Sequence, residues 1–220
     1  MHIGIILDGN RRFAKKNKQQ PWKGHEEGAK NVEALLNWCK ELDIKEITLY
    51  AFSVENFKRS KEEVNFLMKL FEKEFSRLGK DRRIKENKIK IKFIGERKLL
   101  NKKLQEIMKE LEEKTKDYDN YQINFAVAYG GRQEILAAVK KLLRERKQIN
   151  EENFKKSLWL EDDVDLIIRT GGERRTSNFL PWQSVYSEWI FFDKMWPEFT
   201  KEDLKNAIEE FENRERRFGK

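Results

Sequence analysis

Cysteine is nearly absent from this sequence: Cys39 stands alone in 220 residues. A single thiol excludes a disulfide framework and a cysteine-based zinc site. Histidine is almost as scarce, with two, which leaves little for a His-rich metal centre. Three prolines and 11 glycines give no Pro/Gly/Ser linker at which to divide the chain, so residues 1–220 read as one domain. That length is ample for a real core. No stretch approaches the roughly 20 apolar residues of a membrane span. The opening run from Met1 to Leu7 meets Asp8 at once, and no signal peptide is read there. The expectation is a soluble, cytoplasmic protein. Disorder is excluded as well, because the modest 38% of hydrophobic residues comes with 12% aromatics.

Charge, by contrast, is plentiful: 39% of residues are charged and the net charge is +8. The 31 Lys are spread along the chain and interleaved with Glu, as on solvated helix faces. The 16 Arg are not spread evenly; nine of them (Arg11, Arg12, Arg59, Arg169, Arg174, Arg175, Arg214, Arg216 and Arg217) fall in four short segments. Arginine is the fork-shaped donor that suits phosphate, whereas lysine is a mobile point charge. Clustered Arg on a Lys-coated protein points to focused anion sites, not to the basic stripe of a nucleic-acid binder.

The pattern alternates between strand and helix. Apolar runs at 2–7, 46–53, 88–95, 123–129, 165–170 and 188–192 read as six strands. Helical periodicity runs over 11–17, 26–42, 60–78, 99–116, 133–147 and 200–217, with a short helix near 151–158. Ser60 with Glu63 makes a capping box, and Thr200 caps the last helix. Six strands with intervening helices predict an α/β fold: one domain, a central, mostly parallel six-stranded sheet and flanking helices. In such sheets ligands sit beyond the carboxyl ends of the strands.

Three unusual segments follow predicted strand ends. Asp8-Gly9-Asn10-Arg11-Arg12 joins a strand to a helix start, where free N–H groups and two guanidinium groups can hold an anion and Asp8 can carry a divalent metal. Taken alone, it reads equally well as a tight turn. It is not a P-loop, lacking the Gly-Lys-Ser/Thr ending. The segment from Phe52 to Arg59 alternates polar groups with aromatics; alone it reads as a surface loop. Arg169-Thr170-Gly171-Gly172-Glu173-Arg174-Arg175-Thr176-Ser177-Asn178 places three Arg and two Gly directly after a strand, a strong anion-site pattern. Glu188 offers a further metal oxygen, or is an ordinary surface Glu. His25 opens a helix, Cys39 sits on an apolar helical face as a core residue, and Asp162-Asp163-Val164-Asp165 reads as a loop because its spacing is not Asp-Asp-x-x-Asp.

Together these segments resemble the cis-prenyltransferases, the undecaprenyl diphosphate synthase family. The likeness is carried by DGNRRFA at 8–14, GHEEGA at 24–29, LYAFSVENFKR at 49–59, AYGGR at 128–132, RTGGERRTSNFLPWQSVYSEWIFFDKMWP at 169–197 and NRERRFG at 213–219. It implies a Mg²⁺-dependent transferase that condenses isopentenyl diphosphate units onto an allylic diphosphate, farnesyl or geranylgeranyl, with new cis double bonds. The long product is a lipid-carrier precursor for glycosyl transfer. The resemblance further implies an apolar tunnel for the chain, a homodimer, and transient membrane-surface contact for product release. No nucleic acid enters this picture.

Carried over residue by residue, Asp8 is the carboxylate for Mg²⁺ and diphosphate on which turnover depends. Gly9, Asn10, Arg11, Arg12 and Phe13 hold the allylic diphosphate, with His25 nearby. Ser53, Val54, Glu55, Phe57 and Arg59 form a loop over the reacting carbons. Asn56 occupies the position often assigned as proton acceptor, but an amide is a poor base, so it is read as orienting water or the leaving diphosphate. Arg169, Arg175, Thr176 and Ser177 hold isopentenyl diphosphate, and Glu188 is the second metal ligand. Arg217-Phe218-Gly219 resembles the family's tail, which reaches toward the neighbouring subunit's site. The helix bearing Val64, Leu67, Met68, Phe71 and Phe75, with strand 46–53, is the candidate tunnel wall. The chain departs from the family's pattern at three places. Arg11-Arg12-Phe13 stands where bacterial members have Gly-Arg-Trp. Pro21 stands where many members have a diphosphate-binding Arg, with Lys23 as its candidate substitute. Phe57 stands where Trp is commoner. A catalytically silent subunit of the same fold is the rival reading; it predicts loss of Asp8 and the substrate arginines, all of which are present.

Overall fold

The computed structural model describes residues 1–214. β1 (His2–Ile6) is buried along its whole length, as an apolar run flanked by strands on both sides must be. α1 (Asn10–Lys16) and α2 (Lys23–Glu41) lead to β2 (Glu46–Ser53), which a 3₁₀ turn, Val54–Lys58, joins to α3 (Lys61–Leu78). The short α4 (Arg82–Glu86) precedes β3 (Ile89–Ile94), and α5 (Lys102–Thr115) precedes β4 (Tyr121–Tyr129). α6 (Gly131–Glu145) and α7 (Glu151–Lys155) lead to β5 (Leu166–Arg169) and β6 (Glu188–Phe191); α8 (Lys201–Asn213) follows.

The six strands form one sheet in the order β3-β4-β2-β1-β5-β6, with all five pairings parallel. The expected strands are all present within a residue or two of their predicted ends. β3 alternates Ile and Lys because it is an edge: Ile89 and Ile91 are buried and Lys90 and Lys92 half-buried, a pattern that blunts edge pairing. α2, α3, α5 and α8 cover one face through Leu35, Leu67, Met108 and Leu204. The other face packs Ile6, Ala126, Tyr129 and Ile167 against the loops around Leu160 and Phe179.

Two local readings change. α4 is not legible as a period in five residues; it forms because the Asp81 carboxylate accepts from the Arg83 N–H at 2.9 Å and caps it. The capping box at α3 is only half made. Ser60 Oγ accepts from the Glu63 N–H at 3.2 Å, but the Glu63 carboxylate pairs with Arg59.

The sheet order places the site. The chain leaves β1 toward β2 on one side and returns to β5 on the other. Beyond the carboxyl ends of β1 and β5 lies the crevice such a switch creates. The opposite edge of the sheet closes with a complete polar network. His2 Nδ1 donates to the Asp163 carbonyl at 2.9 Å and Nε2 accepts from Thr48 Oγ1 at 2.7 Å. Asn124 Nδ2 donates to Glu46 at 2.7 Å and to Thr48 at 3.0 Å. Burial lowers the pKa of the His2 ring.

Candidate active site

Asp8 follows β1 and Arg169 ends β5, in a register that pairs Ile6 with Arg169. Adjacent parallel strands therefore bring together two residues 161 positions apart: Arg169 Nη2 donates to Asp8 Oδ2 at 2.9 Å. Arg169 is 3% exposed, and its Nη1 donates to Ser177 Oγ at 2.7 Å and to the Arg175 carbonyl. The guanidinium is thus fixed before any ligand arrives. Ser177 and Asn178 both have left-handed backbones, with φ of 51° and 63°. Such strain in non-glycine residues persists where the surroundings over-determine it, and it clusters at functional loops.

On the β1 side, Asp8 Oδ1 accepts from the Gly9 N–H at 2.6 Å and lies 3.2 Å from Arg12 Nη2. Gly9 has φ +106°, and a Cβ there would sit 2.8 Å from the Met195 backbone. Gly171, φ +87°, is equally constrained: a Cβ would lie 2.6 Å from Arg12 Nη2 and 3.0 Å from the Asp8 backbone. Both glycines let the two loops approach each other across the crevice. α1 has no side-chain cap, so the N–H groups of its first turn lack intrahelical partners.

Three buried polar atoms near this pair have no hydrogen-bond partner: Asn10 Oδ1, His25 Nε2 and Arg169 Nε. Such groups cost free energy unless a ligand or water completes them. Two lie on basic groups that suit an anion. Asn10 Oδ1 is an acceptor, because its Nδ2 already donates to the Leu7 carbonyl; an acceptor among donors suits a hydrated cation. Mg²⁺ binds through one or two carboxylates plus substrate phosphates and water, and the Asp8 carboxylate with Asn10 Oδ1 fits that demand. Among the described residues no group of three or more His, Cys, Asp or Glu side chains is placed to hold a metal ion.

The segment after β2 forms the crevice's third wall. Ser53 N–H donates to Asn56 Oδ1 at 3.0 Å, capping the 3₁₀ turn. Arg59 Nη1 donates to Glu63 Oε1 at 2.9 Å, and the same oxygen lies 3.5 Å from His25 Nε2 and 3.8 Å from Arg11 Nε. Glu63 is buried, and its contacts with His25 and Arg59 hold its carboxyl below the usual carboxylate range. One carboxylate therefore ties α1, α2 and α3 around the crevice. Sequence reading assigned Glu63 to a cap only; the signal available was its place four residues after Arg59, a helical i,i+4 pair. Asn178 ends the anion-site loop with no role legible in the sequence. It lines the cavity, and its Oδ1 accepts from the Arg132 N–H at 2.9 Å.

Behind these groups lies a cavity of about 830 Å³. Its mouth is lined by Asp8, Asn10, His25, Arg59, Arg169 and Ser177, with Ser53, Glu55, Asn56 and Arg175 beside them. Its body is apolar: Leu49, Ala51, Phe125, Leu67, Leu70 and Phe71, then Phe75 and Leu78. Of the five helical residues named as a wall, Leu67, Phe71 and Phe75 face the cavity, whereas Met68 and Val64 belong to the core packing.

The remaining predicted residues stand as follows. Arg12 reaches Asp8 and, at 3.8 Å, Glu173, which also pairs with Arg175. Phe57 packs edge-on against Phe52 at 4.8 Å and belongs to the core rather than the cavity wall. Phe13 is half-buried, Val54 begins the 3₁₀ turn, and Thr176 is exposed; none of the three lines the cavity. Lys23 pairs with Glu26 at 2.8 Å in solvent and does not line the cavity. Glu188 opens β6, where the register pairs it with Leu166 at the start of β5. It lies at the opposite edge of the sheet from Asp8, in a 2.6 Å ion pair with Arg214, so within one chain the two carboxylates are not brought together. Arg217-Phe218-Gly219 lies outside the described residues.

Comparison with known proteins agrees with this geometry. The family described as "Putative undecaprenyl diphosphate synthase" matches residues 6–219. The tritrans,polycis-undecaprenyl-diphosphate synthase (geranylgeranyl-diphosphate specific) of Pyrococcus abyssi is 49% identical over 228 residues, covering 100% of this chain and 86% of that protein. The protein of the same description from Thermoplasma volcanium is also 49% identical, covering 100% and 88%. Among solved structures, lavandulyl diphosphate synthase from Lavandula x intermedia, in complex with dimethylallyl diphosphate, matches with a TM-score of 0.94 at 33% identity, covering 100% of this chain and 98% of that one. "A probable undecaprenyl diphosphate synthase" from Campylobacter jejuni matches with a TM-score of 0.86 at 36% identity over the same shares.

Proposed function

The chain belongs to the undecaprenyl diphosphate synthase family and is a cis-polyprenyl diphosphate synthase; from that premise we propose how its crevice divides the work. The observation that carries the reading is the pair of half-buried Asp8 and buried Arg169, beside polar atoms without hydrogen-bond partners, at the mouth of an apolar cavity. A substrate with a doubly phosphorylated head and a hydrocarbon tail matches both parts. The relatives described as geranylgeranyl-diphosphate specific favour geranylgeranyl diphosphate as primer.

Arg169, Arg175 and Ser177 hold isopentenyl diphosphate. Asn10, Arg11, Arg12, His25 and the first-turn N–H groups of α1 hold the allylic diphosphate, whose tail runs down the cavity past Leu67 and Phe71. Asp8, with the substrate phosphates, would hold Mg²⁺, which would supply Lewis-acid stabilisation of the leaving diphosphate. Arg12 and the α1 N–H groups, fixed in advance, stabilise the charge that develops as the allylic C–O bond breaks. The isopentenyl double bond attacks the allylic carbon, and a proton is lost. Asn56 positions and does not take that proton: its Oδ1 already accepts from Ser53 and an amide is far too weak a base, so the departing diphosphate is the acceptor.

Residues 1–220 act as one catalytic domain. It works in the cytoplasm as a homodimer, touching the membrane surface to release product; no helix of the described residues is long and apolar enough to cross a membrane. The dimer reading is supported by exposed apolar side chains, Leu136 and Leu143 of α6 and Val185 and Tyr186 before β6, on elements that pack together through Trp182. Glu188, remote from Asp8 in one chain, serves the metal only if a second chain delivers it.

The test is incorporation of labelled isopentenyl diphosphate with Mg²⁺, offering geranyl, farnesyl and geranylgeranyl primers separately. The expected result is butanol-extractable long product, greatest with the geranylgeranyl primer and abolished by EDTA. No incorporation with any primer by the folded protein overturns the reading and favours a silent subunit.

A further inference from the structure

The two faces of the sheet meet at the crevice through one side chain. Successive residues of β2 point to opposite faces. Leu49 joins the core under α3, whereas Tyr50 packs with Ile6, Tyr129 and Phe179 on the other side. Tyr50 nevertheless reaches the cavity and lines it. Its hydroxyl is shared between two carbonyls, Ser177 at 3.2 Å and Tyr129 at 3.4 Å. The first belongs to the loop after β5 and the second ends β4. The ring is fixed from behind. It stacks on Phe179 at 4.7 Å with 16° between the planes, and meets Tyr129 edge-on at 5.8 Å. Tyr129 is fully buried and its hydroxyl donates to Glu134 Oε2 at 2.5 Å, while Glu134 Oε1 accepts from the Leu160 N–H at 2.9 Å. The phenol is therefore carried on an ordered aromatic stack. Burial pushes its pKa above the ordinary tyrosine value, so it stays a donor throughout the neutral range.

What this hydroxyl holds is strained backbone. Ser177, Asn178 and Leu180 all lie in the left-handed region, with φ of 51°, 63° and 48°. Such conformations persist only where the surroundings impose them. Asn178 is held from α6: its carbonyl accepts from the Gly131 N–H at 2.8 Å and its Oδ1 from the Arg132 N–H at 2.9 Å. Ser177 is held at its carbonyl by Tyr50, and its Oγ accepts from Arg169 Nη1 at 2.7 Å. Arg169 is separately anchored to Asp8 at 2.9 Å. Releasing the Ser177 carbonyl therefore lets the serine move while the arginine stays in place.

Resting on the assignment of Arg169, Arg175 and Ser177 to isopentenyl diphosphate above, we propose that Tyr50 is the positioning residue of that subsite: its hydroxyl holds the Ser177 carbonyl and so keeps Ser177 Oγ turned to Arg169, in the geometry that receives the diphosphate. Tyr50 acts through Ser177 and takes no part in the chemistry. The diphosphate of the allylic primer, held on α1 and α2, depends on it far less.

The test is steady-state incorporation of labelled isopentenyl diphosphate, with geranylgeranyl primer and excess Mg²⁺, by the full chain and its variants Tyr50→Phe, Ser177→Ala and Tyr50→Phe/Ser177→Ala. Tyr50→Phe keeps the ring and its stack on Phe179, so the fold read by circular dichroism should be unchanged. Its KM for isopentenyl diphosphate is expected to rise about 3- to 10-fold, the worth of one neutral hydrogen bond, with kcat and the primer KM within about twofold. Because Tyr50 acts through Ser177, adding Tyr50→Phe to Ser177→Ala should raise the isopentenyl KM by less than about twofold more. An isopentenyl KM unchanged in Tyr50→Phe overturns the proposal. An equal rise in both KM values does so too, since it makes Tyr50 a residue of general packing. Full multiplication of the two effects in the double variant overturns it as well, by showing that Tyr50 acts independently of Ser177. An isopentenyl KM unmoved by Ser177→Ala sinks the subsite assignment and this proposal with it, whereas absence of any incorporation by the unaltered enzyme sinks the synthase reading itself.

Discussion

The two edges of the parallel sheet are built from similar residues and finished in opposite ways. At the amino edge, His2, Thr48, Asn124 and Glu46 are buried or half-buried, and each finds a partner in the others or in the 162–165 loop. At the carboxyl edge, Asn10 and Arg169 each keep a buried polar atom without a hydrogen-bond partner, and His25 Nε2 has only the Glu63 carboxylate at 3.5 Å. Burial and polarity alone do not separate the two edges. What separates them is how far they are satisfied: the His2 network is closed and only Gln183 Oε1 stays open near it, whereas at the crevice several polar atoms lack a hydrogen bond. The connections explain the asymmetry. The carboxyl-edge loops carry Gly9, Gly171 and the left-handed Ser177 and Asn178, which hold backbone and side chains in positions the helices alone would not give.

That contrast can be broken most severely at Asp8. Asp8→Ala is expected to lower the rate of isopentenyl diphosphate incorporation by about 10³-fold, the scale on which electrostatic groups act in preorganised sites. Far-ultraviolet circular dichroism should remain unchanged; steady-state assay with excess Mg²⁺ reads the effect. Arg169→Lys keeps the charge but loses the fork, and with it the separate bonds to Asp8 and Ser177. The KM for isopentenyl diphosphate should rise about 10- to 100-fold, the value of one to two charge-assisted hydrogen bonds, while the KM for the allylic primer moves far less. A comparable rise in both would sink the division of the crevice into two subsites.

Glu63→Gln sharpens the comparison from the other side, since it removes a satisfied group from the open edge. Its partners Arg59 and His25 lose a common anchor, and kcat/KM should fall about 10-fold without loss of the fold. In the unaltered protein Glu63 titrates below its ordinary value. Its contribution is therefore present above the unfolded pKa and lost only as pH falls through the depressed one, so no loss from this group is expected near neutrality. His2 behaves differently. Burial lowers its pKa, so the neutral ring's contribution is whole above about 6.5 and declines as pH falls from there toward its folded value, because the unfolded chain protonates first. Tm measured between pH 7.5 and 5 should fall, and His2→Gln should flatten that slope while leaving incorporation at pH 7.5 unaltered. Loss of activity in His2→Gln would show that the amino edge is not purely structural.

Much of this was legible in the chain. The six apolar runs, the helical periods and the position of each Arg cluster after a strand located the sheet, its parallel sense and the loops of the crevice. Local physics sufficed, because strand and helix periods and capping residues act within a few positions. Family resemblance then assigned roles to Asp8, Asn56, Arg169 and their neighbours. Reading failed where a side chain had a choice of partners. The Glu63 carboxylate had both its own helix cap and Arg59 within reach, and only the packing of α1 and α2 against α3 supplied the cluster of cations that decided it. Phe57, expected over the reacting carbons, packs half-buried and edge-on against Phe52, a contact that only the folded 3₁₀ turn supplies.

By itself the sequence determined the elements, their order and the chemistry concentrated in each loop. The tertiary structure alone decided what met what. Register set Arg169 against Asp8 across 161 residues and carried Glu188 to the far edge of the same sheet. It also set Arg83, from a helix too short to announce itself, against Glu33 of α2. The physical reason is range: propensity and periodicity are local, whereas hydrogen-bond satisfaction and cavity shape depend on side chains that only the folded sheet and its packed helices bring within a few ångströms of each other.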